Sequence, residues 1–198
     1  MGDLIFIDLE TTGLDPSRHA VWEIAWADEN SEVTSFTVHL DFTAYDRADP
    51  EALRIGDFAA RHQPRETALI LEGALRERTR GATIVGANPA FDTAFLAARW
   101  SERPWHYRLI DIETYAMPIL GLDRPVGLAV LADMIPNRLG MPIPKPDHTA
   151  AQDVQTTRAV WRALRRYQSV RAGSDAEHIE VKWSDTHDQY VIDDWIGS

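Results

Sequence analysis

The sequence contains no cysteine among its 198 residues. Disulfide bonds and thiolate metal sites are therefore excluded, and this composition is typical of proteins from a reducing compartment. The chain also lacks any apolar run close to the roughly 20 residues that a membrane-spanning helix needs. Its first residues, MGDLIF, lack the basic segment of a secretory signal. We therefore expect a cytoplasmic protein that has no membrane partner.

Positive charge is scarce as well. The formal net charge is −11, and only two of the 20 basic residues are lysines, Lys145 and Lys182. This excess of acidic residues argues against a broad basic surface that binds nucleic acid. The hydrophobic content of 44% and charged content of 26% are ordinary for a globular protein with one substantial domain. The preference for arginine and alanine is typical of GC-rich genes and favours a bacterial or phage source.

The order of apolar runs predicts the fold class. Runs over residues 4–9, 21–27 and 33–40 predict three strands of an antiparallel meander, the first of them near the centre of the sheet. Alternating strand and helix patterns follow, which predict an α/β domain over residues 1–170, with a mixed sheet flanked by helices. Residues 171–198 form an acidic tail in which HIEVKW and QYVIDDW, around SDTHD, predict a C-terminal β-hairpin.

Two acids, Asp8 and Glu10, end the first apolar run, LIFIDLETTGL. Side chains two apart on a strand point to the same face, so these carboxylates are expected side by side. Their repulsion raises the pKa of one of them unless a divalent cation lies between them, and oxygen ligands favour Mg²⁺ or Mn²⁺. The alternative is that Glu10 starts a loop and Asp8 caps a turn, because such pairs are frequent by chance.

Two further acids stand near the starts of predicted helices. In GANPAFDTAFL, Asn88 and Pro89 predict a helix start that puts Asp92 in the first turn, at the sheet edge where ligands collect. In DHTAAQDVQTT, Asp153 lies in the first turns of the last long helix, and His148 precedes it on a Pro-rich loop. Each motif also has an interpretation without catalysis. Asp92 would interact favourably with the positive N-terminal end of the helix dipole, and His148 would hydrogen-bond to the backbone where the helix begins.

Together these motifs resemble the DEDDh 3′–5′ exonucleases, a DnaQ-like family that includes proofreading subunits and has the ribonuclease H-like fold. The resemblance spans roughly residues 4–168 and rests on FIDLETTGL, GANPAFDTAFL and HTAAQDVQTT in that order. The second motif departs from a common family form, which has His where Ala87 stands, and we expect the change to alter packing or a substrate contact. The tail after Arg171 has no recognised counterpart.

The resemblance implies an enzyme that releases nucleoside 5′-monophosphates from the 3′ end of single-stranded DNA. It implies His148 as the general base of a two-metal-ion hydrolysis. Two divalent ions, Mg²⁺ or Mn²⁺, would be the largest local charges at the site and would offset the acidity of the chain toward a polyanionic substrate. Carboxylates would hold both ions: Asp8, Glu10, Asp92 and Asp153.

The resemblance also implies a set of substrate contacts. Thr11 and Thr12 would contact the terminal 3′-hydroxyl, and Leu14 would wedge against the last base. Phe91 could stack on a base, although core packing is an alternative for both Leu14 and Phe91. The full set of expected substrate-binding residues is Thr11, Thr12, Leu14, Asn88, Phe91 and Lys145.

Three alternatives stay open. An exoribonuclease that acts on short RNA or RNA 3′ ends would carry the same core residues, because contacts to the 2′-hydroxyl separate RNA from DNA. A non-catalytic module could keep the fold and bind nucleic acid or a polymerase, although retention of all five core residues disfavours this. The tail could dock a polymerase or a second copy of the chain, or pack back on the domain.

Overall fold

The computed structural model describes residues 3–174, 181–184 and 189–192. Five strands form one mixed sheet in the order β3-β2-β1-β4-β5. The first three pair antiparallel, as the predicted meander requires, and β4 and β5 continue from β1 in parallel. The central position of β1 is confirmed. The strands are β1 (Leu4–Thr11), β2 (Val21–Ala27), β3 (Thr34–Thr37), β4 (Thr83–Gly86) and β5 (Ile110–Asp111).

Helices fill the connections and cover the sheet. None of those within the described ranges is both long and apolar enough to cross a membrane. Three short helices follow β3, one longer helix precedes β4, and the others lie after β4 and β5. They are α1 (Phe42–Asp46), α2 (Pro50–Ile55), α3 (Phe58–Arg61), α4 (Ala68–Arg78), α5 (Pro89–Trp100), α6 (Ile112–Leu120), α7 (Leu128–Leu139) and α8 (Ala150–Ser174).

The sheet is covered on both faces, so the core has two layers. On one face, Phe6 and Ala25 pack with α6, α7 and the first part of α8. The sequence predicts an apolar stripe on the last long helix, at Val154, Trp161 and Leu164. All three are buried in this layer, where Phe6 meets Trp161 edge-on with ring centres 6.5 Å apart. On the other face, alternate residues of β1 pack with α4 and α5.

The segment from α1 to α3 is packed on β2 by aromatic rings. Phe58 stacks on His62 with ring centres 4.4 Å apart, and it meets Trp22 edge-on at 5.2 Å. His62 Nε2 bonds to the backbone oxygen of Val38 at 2.9 Å. Because the rings fix this segment beside β2, the turn at Gly56 lies next to the end of β1.

The chain divides into two compact units, residues 1–165 and 166–198. In the second unit, β6 (Val181–Ser184) and β7 (Gln189–Ile192) pair antiparallel, so the predicted C-terminal hairpin is confirmed. The expected boundary between a domain of residues 1–170 and a tail of residues 171–198 stays a prediction. The proposed docking role of the tail depends on side chains that lie outside the described residues.

Candidate active site

Asp8 and Glu10 both lie on β1, which runs two residues beyond its predicted end at Leu9. They therefore face the same side of the sheet, and the turn interpretation of this pair is wrong. β4 pairs with β1 only as far as Phe6, so the acidic end of β1 lies beyond the last residues of β4. This is the carboxyl edge of the parallel strands, where ligands bind in open α/β sheets.

Asp92 lies in the first turn of α5 and is only 4% exposed. Burial raises the pKa of its carboxyl, and the backbone N–H groups of Asp92 itself and of Leu9 on β1 lower it, so Asp92 lies beside β1. Asn88 is the N-cap residue, as predicted, but it has a left-handed φ of 58° and its side chain makes no capping bond. Its N–H donates instead to Asp111 Oδ1 at 3.2 Å.

Gly86 permits the close approach that brings α5 to this edge. A Cβ at this position would lie 3.1 Å from Pro89 Cβ and 3.3 Å from the backbone oxygen of Ile7. These distances are tighter than ordinary van der Waals contact, so a larger residue would push β4, α5 and β1 apart. The glycine thus helps to place Asp92 beside the acids of β1.

His148 and Asp153 flank the start of α8. His148 is exposed and has a left-handed φ of 63°. Asp153 Oδ1 accepts the backbone N–H of Asp147 at 3.2 Å, and Asp147 Oδ1 accepts that of Thr149 at 3.0 Å. The charge of His148 lowers the pKa of Asp153, against a larger rise caused by burial. The imidazole therefore lies within electrostatic reach of this carboxylate.

The electrostatics of the site connect all four carboxylates. Burial raises the pKa of Asp8 well above its usual range, and the charges of Asp92, Asp153 and Glu10 raise it further. Burial, followed by the charge of Glu23, raises the pKa of Glu10 to about 8. Burial also raises the pKa of Asp92 to about 7. The acids from three separate motifs thus lie close enough to repel one another.

The donor chemistry of this region fits a hard divalent cation, because it consists of buried carboxylates whose repulsion a cation relieves. Among the described residues, however, no group of three or more His, Asp or Glu side chains is placed to hold a metal ion. Asp153, for example, is bonded to the backbone of its own loop. The carboxylates converge without forming a preassembled ligand set, and their metal and catalytic roles stay predictions.

Sequence reasoning missed two charged residues beside the site, Glu23 and Arg61. Glu23 lies on β2 directly opposite Glu10 and is only 8% exposed. The guanidinium of Arg61 pairs with Glu23 Oε2 and donates to the backbone oxygens of Gly56 at 2.6 Å and His148 at 2.9 Å. A charged residue inside the apolar strand VWEIAWA is the sequence signal that points to Glu23.

The expected substrate residues of the loop after β1 differ in exposure. Thr11 Oγ1 donates to the backbone oxygen of Gly13 at 2.7 Å, and Thr12 Oγ1 accepts the N–H of Ala20 at 2.9 Å. Both side chains are buried, so in this structure their hydroxyls shape the loop. Leu14 is 78% exposed, so the core-packing alternative is wrong for this residue.

The remaining expected substrate residues also make contacts within the chain. Phe91 packs in the core against Phe95, with ring centres 4.8 Å apart, which favours the core-packing alternative. Lys145 Nζ pairs with Asp133 Oδ1 at 3.1 Å on the surface. Ala87 is half-buried and packs against the layer of α6, α7 and α8, in line with the expected change of packing. The substrate contacts of the whole set stay predictions.

Comparison with known proteins gives one kind of match. No protein family profile and no curated protein sequence match the chain. Solved structures of exonuclease I do match. The enzyme from Methylocaldum szegediense has a TM-score of 0.60 at 22% identity, over 87% of this chain and 43% of that one. Exonuclease I from E. coli, in complex with a 5cy-dT13 oligonucleotide, has a TM-score of 0.62 at 18% identity, over 86% and 42%.

A product-bound exonuclease I has a TM-score of 0.58 at 19% identity, over 86% of this chain and 45% of that one. The fold is ribonuclease H-like. The mixed five-stranded sheet with flanking helices is therefore the architecture that the sequence predicts. This chain spans less than half the length of these exonuclease I structures. At such identities the likeness is one of fold.

Proposed function

We propose that this protein is a metal-dependent 3′–5′ exonuclease that releases nucleoside 5′-monophosphates from single-stranded DNA. The proposal rests on one observation above all. Carboxylates from three distant motifs lie close together at the carboxyl edge of the sheet, where burial and then the charges of Asp92, Asp153 and Glu10 raise the pKa of Asp8. The fold likeness to exonuclease I, one example of which is bound to an oligonucleotide, supports nucleic acid as the substrate class.

The four carboxylates are the proposed ligands of two divalent ions. Bound there, Mg²⁺ or Mn²⁺ would supply Lewis-acid stabilisation of the charge that develops on the phosphate. The chain contributes a buried surface on which these acids cannot all ionise without a counter-charge, because burial and mutual repulsion both raise their pKa values. The site is thus selective for cations before any polyanion binds.

His148 is the proposed general base. It is exposed in the turn that precedes α8, so its side chain is accessible to solvent. In this role the imidazole would take a proton from the attacking water. Burial raises the pKa of the neighbouring Asp153, and the charge of His148 lowers it.

A gel assay tests the proposal. End-labelled single-stranded DNA, duplex DNA and RNA of matched sequence are incubated with the wild type and with Asp8→Ala, in Mg²⁺, Mn²⁺ or EDTA. We expect a ladder that shortens from the 3′ end of single-stranded DNA with either metal ion and not with EDTA. The variant should be inactive, whereas the control Asp46→Ala, which changes an exposed acid on α1, should keep full activity.

Other outcomes of the same assay separate the alternatives. Faster turnover of RNA than of matched DNA would favour the exoribonuclease. Retention of the oligonucleotide without release of mononucleotides would favour the non-catalytic binding module. Full activity of Asp8→Ala would contradict both the proposed site and the role of its carboxylates.

A further inference from the structure

The turn that carries His148 is held in an unfavourable backbone conformation. Its φ of 63° lies in the left-handed region, which residues with a Cβ adopt uncommonly and at some cost in free energy. Bonds within the turn contribute, since Thr149 N donates to Asp147 Oδ1 at 3.0 Å. Local bonds of this kind are exposed to solvent and to competition from water. The turn therefore needs support from other parts of the fold.

Two residues distant in the chain provide this support. Arg61 Nη1 donates to the backbone oxygen of His148 at 2.9 Å. Glu23 Oε2 accepts the backbone N–H of Ala150 at 3.3 Å, which satisfies one of the free N–H groups at the start of α8. The two contacts lie on either side of the same peptide turn, so together they fix the path of the backbone through His148.

Glu23 and Arg61 are also bound to each other. The same carboxylate oxygen that accepts the Ala150 N–H pairs with Arg61 Nη2, and the two side chains are 11% and 21% exposed. Arg61 donates further to the backbone oxygen of Gly56 at 2.6 Å, and its guanidinium lies 5.1 Å from the centre of the Trp22 ring. A planar group with several fixed donors is needed for these contacts, and a lysine cannot reproduce them.

We propose that Glu23 and Arg61 are positioning residues that hold His148 beside the carboxylates. They act on the backbone of the turn from residue 148 to residue 150 and not on the substrate. The inference rests on the proposed function, in which His148 is the general base. It predicts that loss of the pair lowers the rate of the chemical step and leaves binding of the strand nearly unchanged.

Kinetics of three variants test this role: Arg61→Gln, Glu23→Gln and the double variant. Each should lower kcat on single-stranded DNA by about 10- to 100-fold, because a small misplacement of a catalytic group has an effect of that size. KM should stay within about twofold. The double variant should be no slower than the slower single variant, because residues that act as a unit are not additive.

The double variant also separates loss of positioning from loss of folding. Arg61→Gln leaves a buried carboxylate unpaired and can unfold the protein, whereas the double variant buries no net charge. The matched control is Arg54→Gln, which breaks an exposed ion pair with Glu51 in the same segment and should keep kcat unchanged. A double variant that folds and has wild-type kcat would overturn the proposal.

A spectroscopic measurement tests the same claim without nuclease activity. The imidazole resonance of His148, assigned by its absence in His148→Gln, should shift or broaden in the Glu23 and Arg61 variants. The resonances of His19 and His106 should stay in place. An unchanged His148 resonance would overturn the proposal. If the wild type releases no nucleotides but the resonance responds as expected, the proposed function fails and the positioning of His148 by this pair stands.

Discussion

Substitution of His148 separates the role of a general base from that of a metal ligand more sharply than any other single substitution considered. If it is the general base, His148→Ala should lower kcat by about 10²- to 10⁴-fold, the usual contribution of a positioned base. Binding of Mn²⁺, measured by calorimetry, should change by less than about threefold, since carboxylates are the proposed ligands. A collapse of Mn²⁺ affinity would instead make His148 a ligand and would remove the base assignment.

Gly56 is a second residue at which a small change should affect the site. A Cβ there would lie 2.8 Å from Trp22 Cζ2 and 3.1 Å from Glu10 Oε2. Trp22 is fully buried and has little room to move, so the added methyl group must also displace the Glu10 carboxylate. We expect Gly56→Ala to lower the free energy of unfolding by about 1–3 kcal/mol, the usual cost of overpacking, and to reduce nuclease activity.

The control for this variant is Gly73→Ala. Gly73 lies inside α4, and a Cβ added there would meet no other atom within 4 Å. Because glycine is unfavourable in a helix, this change should raise the free energy of unfolding by about 0.5–1 kcal/mol and leave activity intact. Chemical denaturation and the gel assay measure both effects. Equal behaviour of the two variants would contradict a specific contact between Gly56 and Glu10.

Arg158, Arg162 and Arg165 recur at helical spacing on α8, and this basic stripe is typical of a solvated face. In the structure, however, Arg158 joins α8 to the turn between β2 and β3. Arg158 Nη1 donates to the backbone oxygens of Asp28 at 3.0 Å and Ser31 at 2.5 Å, in the turn between β2 and β3. Arg158→Ala should therefore lower the free energy of unfolding by about 1–2 kcal/mol, because two half-buried backbone acceptors lose a charged donor. Turnover of single-stranded DNA should stay within twofold.

Arg162→Ala is the matched control on the same helix. Its side chain is exposed, so its loss should change stability by less than about 0.5 kcal/mol. Denaturation in urea gives both values. A large loss of turnover in either variant, with stability unchanged, would mean that the stripe of arginines on α8 binds the strand after all.

The elements with a clear hydrophobic period are those that the sequence predicts best. Val21–Ala27 forms β2 as its apolar run indicates, and Pro89 begins α5 as the Asn-Pro signal indicates. The pattern of residues 49–62, DPEALRIGDFAARH, indicates one short helix, but the segment forms two, α2 and α3. The break follows from Asp57, whose positive φ of 49° cannot continue a helix.

The same break explains why the amino-acid sequence could not predict some residues of the candidate site. Asp8 and Glu10 share a strand, so a period of two places them together. Glu23 and Arg61 are 38 residues apart and meet because the turn after α2 redirects the chain toward β1. A contact of this kind depends on the path of an irregular segment, which local patterns do not encode.

At the scale of the whole molecule, the cluster of acids links stability to pH. The folded state holds protons on Glu10, with a pKa of about 8, and on Asp92, with a pKa of about 7, whereas the unfolded chain releases both near pH 4. Below pH 4 these groups are protonated in both states, and their contribution to stability is fully present. It is lost progressively as the pH rises from about 4 through the folded pKa values of about 7 and 8, because over this range the unfolded chain has released protons that the folded state still holds.

The free energy of unfolding in EDTA should therefore fall between pH 5 and pH 8.5. Urea denaturation across this range measures the slope, and Glu10→Gln should flatten it, because the amide has no proton to lose. Mg²⁺ should restore more stability at pH 8.5 than at pH 5.5, since protons and cations compete for the same oxygens and a ligand stabilises only the state that binds it. A wild-type stability in EDTA that rises steadily with pH would mean that the acids ionise freely, and that no counter-charge is needed where they converge.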